Sequence, residues 1–368
     1  MTWQVRRLGE VCEVEYGTRV VQKRDGGTIY PVYGGGGETF RVDDFNRDDQ
    51  LIVSRFAMSE ECVRFVRGKF FLNDSGLTVA SKIESLSQTF LDWQILCKSG
   101  EIYALGRGTA QKNLDVSAFR EMQISYPSLE EQRRIVALLD EAFAGIATDK
   151  ANAEKNLRNA GEVFQTARLR IFDGLKATRL RLGDITEVQS GGTPVVSKRQ
   201  YWGGDIPWYS SGELNDLTTS EPERNISTEG LSASNAKLFP CGSLLIGMYD
   251  TAALKMSILD REAAFNQAIA GAKPSSELDT TYLLHAISAQ REELLGQRRG
   301  VRQKNLSLGK IKDILLPLPA LADQKQIVAD LDALRSEVSH LESLYTSKLA
   351  ALDELKQSLL QRAFSGAL

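Results

Sequence analysis

Two short polar triads carry the clearest chemistry in this chain. Gln111-Lys112-Asn113 and Gln303-Lys304-Asn305 each place an amide on both sides of a cation. Amides pair with base edges, adenine especially, while lysine neutralises phosphate, so the pattern suits nucleic-acid contact. The plainer reading is a capped turn, in which Asn113 and Asn305 hold a helix start. Cations gather near both triads: Arg107 at the first, and Arg298, Arg299 and Arg302 at the second. Lys198, Arg199, Tyr201, Trp202, Trp208 and Tyr209 interleave cations with aromatics, which suits backbone contact and stacking. The alternative there is an ordinary core edged by basic residues. Arg19, Lys23 and Arg24 make a sparser basic group, equally at home on a solvated surface.

Enzymatic chemistry is poorly represented. The only histidines, His285 and His340, stand in unrelated contexts. His285 lies among Leu283, Leu284 and Ile287 and reads as structural, and His340 reads as a solvated helix residue. Cys12, Cys62, Cys97 and Cys241 are scattered, form no CxxC pair and share no metal-ligand spacing with histidine. There is no GxxxxGK[ST] phosphate loop, no GxSxG elbow and no Asn-Pro-Pro-aromatic tetrapeptide of amino-methyltransferases. Gly34 to Gly37 lack dinucleotide-loop spacing and read as a tight loop. No catalytic residue and no metal site is expected.

The triads sit inside a longer repeat. Residues 107–140 and 299–332 align without a gap: Gln111, Lys112, Asn113 and Leu114 fall on Gln303, Lys304, Asn305 and Leu306. Pro127, Leu129 and Gln132 fall on Pro319, Leu321 and Gln324; Ile135, Leu139 and Asp140 fall on Ile327, Leu331 and Asp332. Two copies are too few for a solenoid and read as one duplicated unit. The unit openings repeat as well, Leu8-Gly9-Glu10-Val11 against Leu182-Gly183-Asp184-Ile185. They are offset by less, so the second unit carries an insertion, drawn from the stretch YWGGDIPWY or from residues 213–229. Between opening and repeat, both units read as mixed α/β, with buried strands at Leu51-Ile52-Val53 and Ser243-Leu244-Leu245-Ile246.

After each repeat comes a long helix. Residues 129–172 and 321–364 hold no proline and almost no glycine. In the second, Ile327, Leu331, Leu334, Val338, Leu341, Tyr345, Leu352, Leu355 and Leu359 alternate steps of three and four, broken once at Lys348, as in a heptad seam. Ala153 and Ala160 in the first helix would let a partner approach closely. A helix of about forty residues is roughly 60 Å long and needs a partner, for which the other copy is the obvious choice. The expected divisions are 1–128, 129–175, 176–320 and 321–368, alternating globule and helix. The second helix is expected to end beside the first globule.

Formal net charge is −3, so the chain is not a uniformly basic binder. No apolar run approaches a membrane span, the N-terminus lacks a signal-peptide core, and the cysteines read as reduced. A cytoplasmic protein is expected.

The segments GTAQKNL and GVRQKNL, the proline-leucine step, EEQRRIVALLD, ADQKQIVADLD, GGTPVVSKRQYWGGDIPW and the ending LLQRAFSGAL span nearly the whole chain. In these the chain resembles the specificity subunit of type I restriction-modification systems. The resemblance implies an α/β (α+β) fold: two pseudo-symmetric target-recognition domains separated by two long antiparallel helices forming a coiled coil. It implies that each domain reads half of a bipartite, asymmetric site in double-stranded DNA. The helices would dock two methyltransferase subunits, which bind S-adenosylmethionine and methylate adenine at N6. Restriction subunits would bring ATP and magnesium, and this chain would hold no cofactor. The DNA-binding candidates are then Arg19, Lys23, Arg24, Arg107, Gln111, Lys112, Asn113, Lys198, Arg199, Tyr201, Trp202, Arg298, Arg299, Arg302, Gln303, Lys304 and Asn305. The partner-binding candidates are Phe143, Phe164, Leu344, Leu352, Leu355 and Leu359. A free-standing DNA-processing enzyme and a coiled-coil scaffold are the rival readings.

Overall fold

The computed structural model describes residues 3–109, 111–296 and 305–367. They form two compact units, Met1–Glu154 with Thr346–Leu368, and Lys155–Tyr345. The first unit is built on a six-stranded sheet in the order Cys12–Tyr16, Gly76–Ser81, Arg47–Ser54, Val63–Leu72, Tyr30–Tyr33, Arg41–Val42. Leu51, Ile52, Val53 and Ser54 are all buried, as suits a continuous apolar run in a central strand. The second unit divides its strands between two sheets. One runs Val188–Ser190, Ile269–Ala272, Leu244–Gly247, Met256–Ile258; the other runs Arg224–Ile226, Trp202–Tyr209, Ala264–Phe265.

The insertion can now be placed. In the first unit Tyr33 pairs with Leu72 in a parallel ladder, and in the second Tyr209 pairs with Phe265 in the same way. YWGGDIPWY is thus the counterpart of TIYPVY. The extra residues follow Tyr209 and include Arg224–Ile226 and the helix Thr228–Ser232. A matching close approach marks both sheets: a Cβ on Gly17 would lie 2.0 Å from the Asn73 carbonyl oxygen, and one on Gly191 2.0 Å from that of Phe265.

Beneath each sheet lies the same frame. Gln4–Arg7 pairs with Gln123–Tyr126, and Arg179–Arg181 with Leu315–Pro317. Gln132 is wholly buried in the first turn of the long helix Leu129–Gly174. Its Oε1 accepts from the Ser87 amide at 2.8 Å, and its Nε2 donates to the carbonyls of Ser85 at 2.8 Å and Pro127 at 2.9 Å. Gln324, in the second long helix Leu321–Phe364, does the same with Asp279, Glu277 and Pro319. An aromatic pair also recurs: Phe90 meets Phe364 at 5.2 Å in the first unit, and Tyr282 meets Phe172 at 5.3 Å in the second. Such pairs add about 0.5–1.5 kcal/mol beyond the area they bury. Leu360, Ala363 and Phe364 join Trp3 and Phe90 in the first core, so the second helix ends among first-unit residues as expected.

The helices bury a narrower seam than the sequence suggests. Gln132, Leu139, Ile146, Ala153 and Ala160 are buried at seven-residue spacing, as are Gln324, Leu331 and Val338, with Leu352 two heptads beyond Val338. Leu341 and Leu355, expected in the seam, are 40% and 47% exposed. At the margin of this seam exposed cations lie over rings: Lys356 lies 5.5 Å from the Phe143 ring in the first unit, and Arg335 5.5 Å from the Phe164 ring in the second. Lys150 pairs with Asp353 at 2.7 Å in the first unit.

Replacing Gln132 by alanine takes the side-chain partner from one backbone amide and two carbonyls, of which that of Pro127 is buried, and should cost about 2–4 kcal/mol in urea unfolding. A loss below about 0.5 kcal/mol would mean that water or a shifted loop satisfies them. Asp92, on the helix Gln88–Cys97, gives a pH signature. Burial pushes its carboxyl up to about 6, against the 2.7 Å hydrogen bond from Gln88. Unfolded it titrates near 3.8. The folded state therefore holds the proton more tightly, and stability falls as pH rises from about 4 to about 6, then levels. Asp92→Asn should flatten that part of the stability–pH curve; identical curves would rule Asp92 out as the source.

Candidate nucleic-acid interface

In the first unit, Gly106–Arg107 and Asn113–Leu114 pair as two short strands, with Gly108 at φ +114 between them. This hairpin grips the neighbouring loop. Leu114 N–H donates to the Arg55 carbonyl at 2.8 Å, and Met58 N–H to that of Lys112 at 2.9 Å. Asn113 Oδ1 accepts from the Ala57 amide at 3.3 Å, and Ala57 holds φ at +49. Asn113 therefore fixes a strained loop. The helix start is capped by Asp115, whose Oδ1 accepts from Ser117 and Ala118 at 3.1 Å each, and in the second unit by Ser307, whose hydroxyl accepts from the Lys310 amide at 3.3 Å. The asparagines are not the caps, because the helices begin two residues later than the triads suggest.

Gln111 is exposed, and Lys112 Nζ sits 3.9 Å from the Tyr103 ring centre. Both residues line a cleft of about 400 Å³ with Ala57 and Gly108. Arg107 is tied to Asp115 by an ion pair. Arg19 and Arg24 line a different cleft of about 450 Å³, which also holds Asp25, Asp43 and Asp44. Arg24 is bound by Asp25 at 2.8 Å, and Lys23 is exposed nearby in sequence. Three carboxylates make that cleft a poor phosphate site.

The sequence reading missed a richer surface on the same unit. Arg55 lies 4.4 Å from the Phe56 ring and 4.9 Å from that of Tyr16. On the strand Val63–Leu72, Arg67 lies 4.2 Å from the Phe65 ring, and Lys69 is 4.4 Å from that of Phe45. Phe56 and Phe65 are 36% and 37% exposed. The signal was present in VRFVRGKFF, where cations and aromatics alternate.

In the second unit the aromatics divide. Tyr201 is buried, with Lys198 Nζ donating to its hydroxyl at 3.1 Å, and this hydrogen bond raises the Lys198 pKa. Its ring is covered and cannot stack. Trp202 packs edge-on against Trp208 at 5.1 Å and stays half-buried. With Arg199, Arg224 and Asn225 it lines a cleft of about 400 Å³, and Arg224 lies 5.7 Å from its ring. The buried Oδ1 of Asn225 has no hydrogen-bond partner. Asn305 bridges by backbone to Tyr249, and its Oδ1 is also unpartnered. Arg298, Arg299, Arg302, Gln303 and Lys304 lie outside the described residues.

Among the described residues no group of three or more His, Cys, Asp or Glu is placed to hold a metal ion. His285 is buried, and burial followed by the charge of Arg168 pushes its pKa down; His340 is exposed. Both fit structural rather than catalytic roles. Among the described residues no helix is long and apolar enough to cross a membrane.

A family profile described as the type I restriction modification DNA specificity domain matches residues 1–157 and again 177–345. The chain belongs to this family. It is 27% identical over 217 residues to the type I restriction enzyme EcoR124I/EcoR124II specificity subunit of Escherichia coli, covering 56% of this chain and 52% of that one. Over 156 residues it is 26% identical to the MjaIX specificity subunit of Methanocaldococcus jannaschii, covering 41% of this chain and 36% of the relative. The match thus spans about half the length of the E. coli relative, or less for the archaeal one. The fold extends further. The HsdS subunit from Thermoanaerobacter tengcongensis superposes with a TM-score of 0.64 at 21% identity, over 100% of this chain and 97% of that one. A chain from a structural study of type I R-M complex assembly and conformational transition gives 0.74 at 20%, over 100% and 98%. Two sheet-based specificity domains with packed long helices are therefore shared, as the sequence led us to expect.

Of the helix residues proposed to meet partners, four are already used inside their own units. Phe143, Leu352 and Leu359 are buried or half-buried, and Phe164 is buried in the second core. Leu344 and Leu355 remain 54% and 47% exposed. Asn113→Ala should release the Ala57 amide and speed its hydrogen exchange about five- to tenfold, the equivalent of one hydrogen bond. Unchanged exchange at Ala57 would show that the loop holds itself.

Proposed function

We propose that this chain is the DNA-sequence-reading, non-catalytic subunit of a type I restriction-modification complex. One observation carries the reading: the same buried frame supports unlike basic–aromatic surfaces in the two units. Gln132 and Gln324 make matching sets of bonds, yet the first unit presents Arg55, Phe56, Arg67 and Lys69, and the second Arg199, Trp202 and Arg224. Equal frames with unequal faces suit two readers of two different half-sites, hence a bipartite and asymmetric DNA target. Phosphate contact falls to the exposed cations, and half-exposed rings such as Phe56 and Trp202 supply apolar contact to bases or sugars.

In this reading the partners are double-stranded DNA, two methyltransferase subunits carrying S-adenosylmethionine, and restriction subunits carrying ATP and magnesium. Leu344 and Leu355 belong to the methyltransferase dock. The division into recognition domains at 1–128 and 176–320, with helical spacers at 129–175 and 321–368, is part of the same proposal, as is a cytoplasmic setting.

Exchanging residues 1–126 for those of another family member should change one half of the methylated site and leave the other intact, read by methylome sequencing. A change in both halves would refute independent readers. Arg67→Ala should weaken DNA binding across all sequences and lower the salt slope by roughly one. Loss of affinity for the cognate site alone, at constant slope, would make Arg67 a base reader.

A further inference from the structure

The second unit holds a cleft of about 770 Å³ away from the basic–aromatic surfaces just described. One wall is the end of the first long helix and the other is the turn around Arg291. Arg168, Arg170, Arg179 and Arg291 all line it, and among the described residues none of the four makes an ion pair. Arg168 is half-buried; one of its terminal nitrogens donates to Gln165, and its Nε is buried without a partner. Burial first, and the nearby charge of Arg291 second, push its pKa down. Arg291 is held in place through the Ala253 and Leu254 carbonyls. Two guanidiniums thus line one cleft, that of Arg168 partly dehydrated and set 5.6 Å from the Phe164 ring. Such an arrangement gains most when a carboxylate or phosphate enters.

The rest of the lining selects between those anions. Asp173, Glu292 and Glu293 line the same cleft, and Leu169, 50% exposed, and Phe172 give it apolar surface. Three carboxylates repel a polyanion such as DNA. They tolerate a single carboxylate that reaches past them to Arg168 while apolar neighbours cover Leu169. Among the described residues the site has no twin. The first-unit residue in register with Arg168 is Leu360, buried in that unit's core, and the one in register with Arg291 is Ser99, which donates to the Glu60 carbonyl at 3.3 Å. We propose that this cleft seats a carboxylate side chain from an acidic, leucine-flanked peptide segment of a partner protein, once per chain. The inference stands apart from the DNA-reading proposal, since it uses none of the residues assigned there.

The test is fluorescence anisotropy on the full chain with three probes: a labelled peptide of alternating glutamate and leucine, its glutamine counterpart, and a lysine–leucine peptide. The glutamate peptide should bind at least on the order of tenfold more tightly than the glutamine one. Arg168→Gln should remove that preference. Arg168→Glu should shift it to the lysine peptide, which a merely misfolded protein would not do; thermal unfolding checks both variants. Equal binding of glutamate and glutamine peptides, or a preference that survives Arg168→Gln, overturns the proposal. So does displacement of the peptide by non-specific duplex DNA together with weaker DNA binding by Arg168→Gln, which would make the cleft a phosphate contact.

Discussion

A side-chain amide offers two donors and two acceptor sites, and Gln132 commits three of them where no water reaches. Its partners lie on two sides of a joint. Ser85 and Ser87 precede the helix Gln88–Cys97 of the sheet domain, while Pro127 precedes the long helix. One side chain in the first helical turn thus ties the domain to its helix. Glutamate would lack the donors, and leucine would take the partner from one amide and two carbonyls, at about 1–3 kcal/mol for the buried Pro127 carbonyl and less where water reaches. A core leucine could be exchanged for methionine at little cost, but this position admits no such exchange. Gln324 repeats the solution.

With that joint fixed, the rest is free to diverge, and the structure shows where divergence is compensated. Phe143 meets Lys356 in one unit, and Phe164 meets Arg335 in the other. The repeat puts Phe143 in register with Arg335 and Phe164 in register with Lys356. The ring and the cation have changed helices while the contact between them has survived. Likewise Trp93, which packs on Phe143 at 4.8 Å, has His285 as its counterpart, set 6.3 Å from Phe164. What is constrained is the pair and not the residue at either position. The sheet edges have no such bond, and there the second unit has gained a strand and a helix after Tyr209.

The repeat, the mixed α/β class and both long helices were legible because identical polar residues at one spacing have no other ready explanation. The helix seam was legible only in part. Ile327 and Leu334 pack against the second core, whereas Leu341 and Leu355, at the same heptad position, stay exposed, and their apolar character alone could not show that. Arg335 and Lys356 cover the Phe164 and Phe143 rings from the margin of the seam, contacts that a count of apolar residues passes over. At the candidate site, residue type singled out Lys112, Trp202, Tyr201 and Asn113 alike, and could not show that Tyr201 is covered or that Asn113 is occupied with Ala57. Those facts depend on contacts between segments far apart in sequence. Arg55 and Phe56 were missed for the same reason: their cation–ring stack includes Tyr16, some forty residues away.

A net charge of −3 poses an electrostatic question for the proposed DNA-reading role, and the placement of the cations supplies an answer. Arg24, Arg107 and Arg134 are paired with Asp25, Asp115 and Glu131, and their fields are largely cancelled. Arg55, Arg67, Lys69 and Lys112 lie over aromatic rings, and among the described residues none of these four makes an ion pair. The two kinds of partner differ in what they leave behind. A carboxylate orders a cation and neutralises it; a ring face orders it through its quadrupole and leaves the net charge intact. Ordering costs less entropy on binding if it is already in place, and an uncancelled charge still attracts phosphate over about a Debye length, roughly 8 Å in physiological salt. The total charge of the chain therefore says little about its proposed DNA-facing surface. What matters is which cations have rings beneath them, and in the first unit these lie on the strand Val63–Leu72 and on the loop that Asn113 holds.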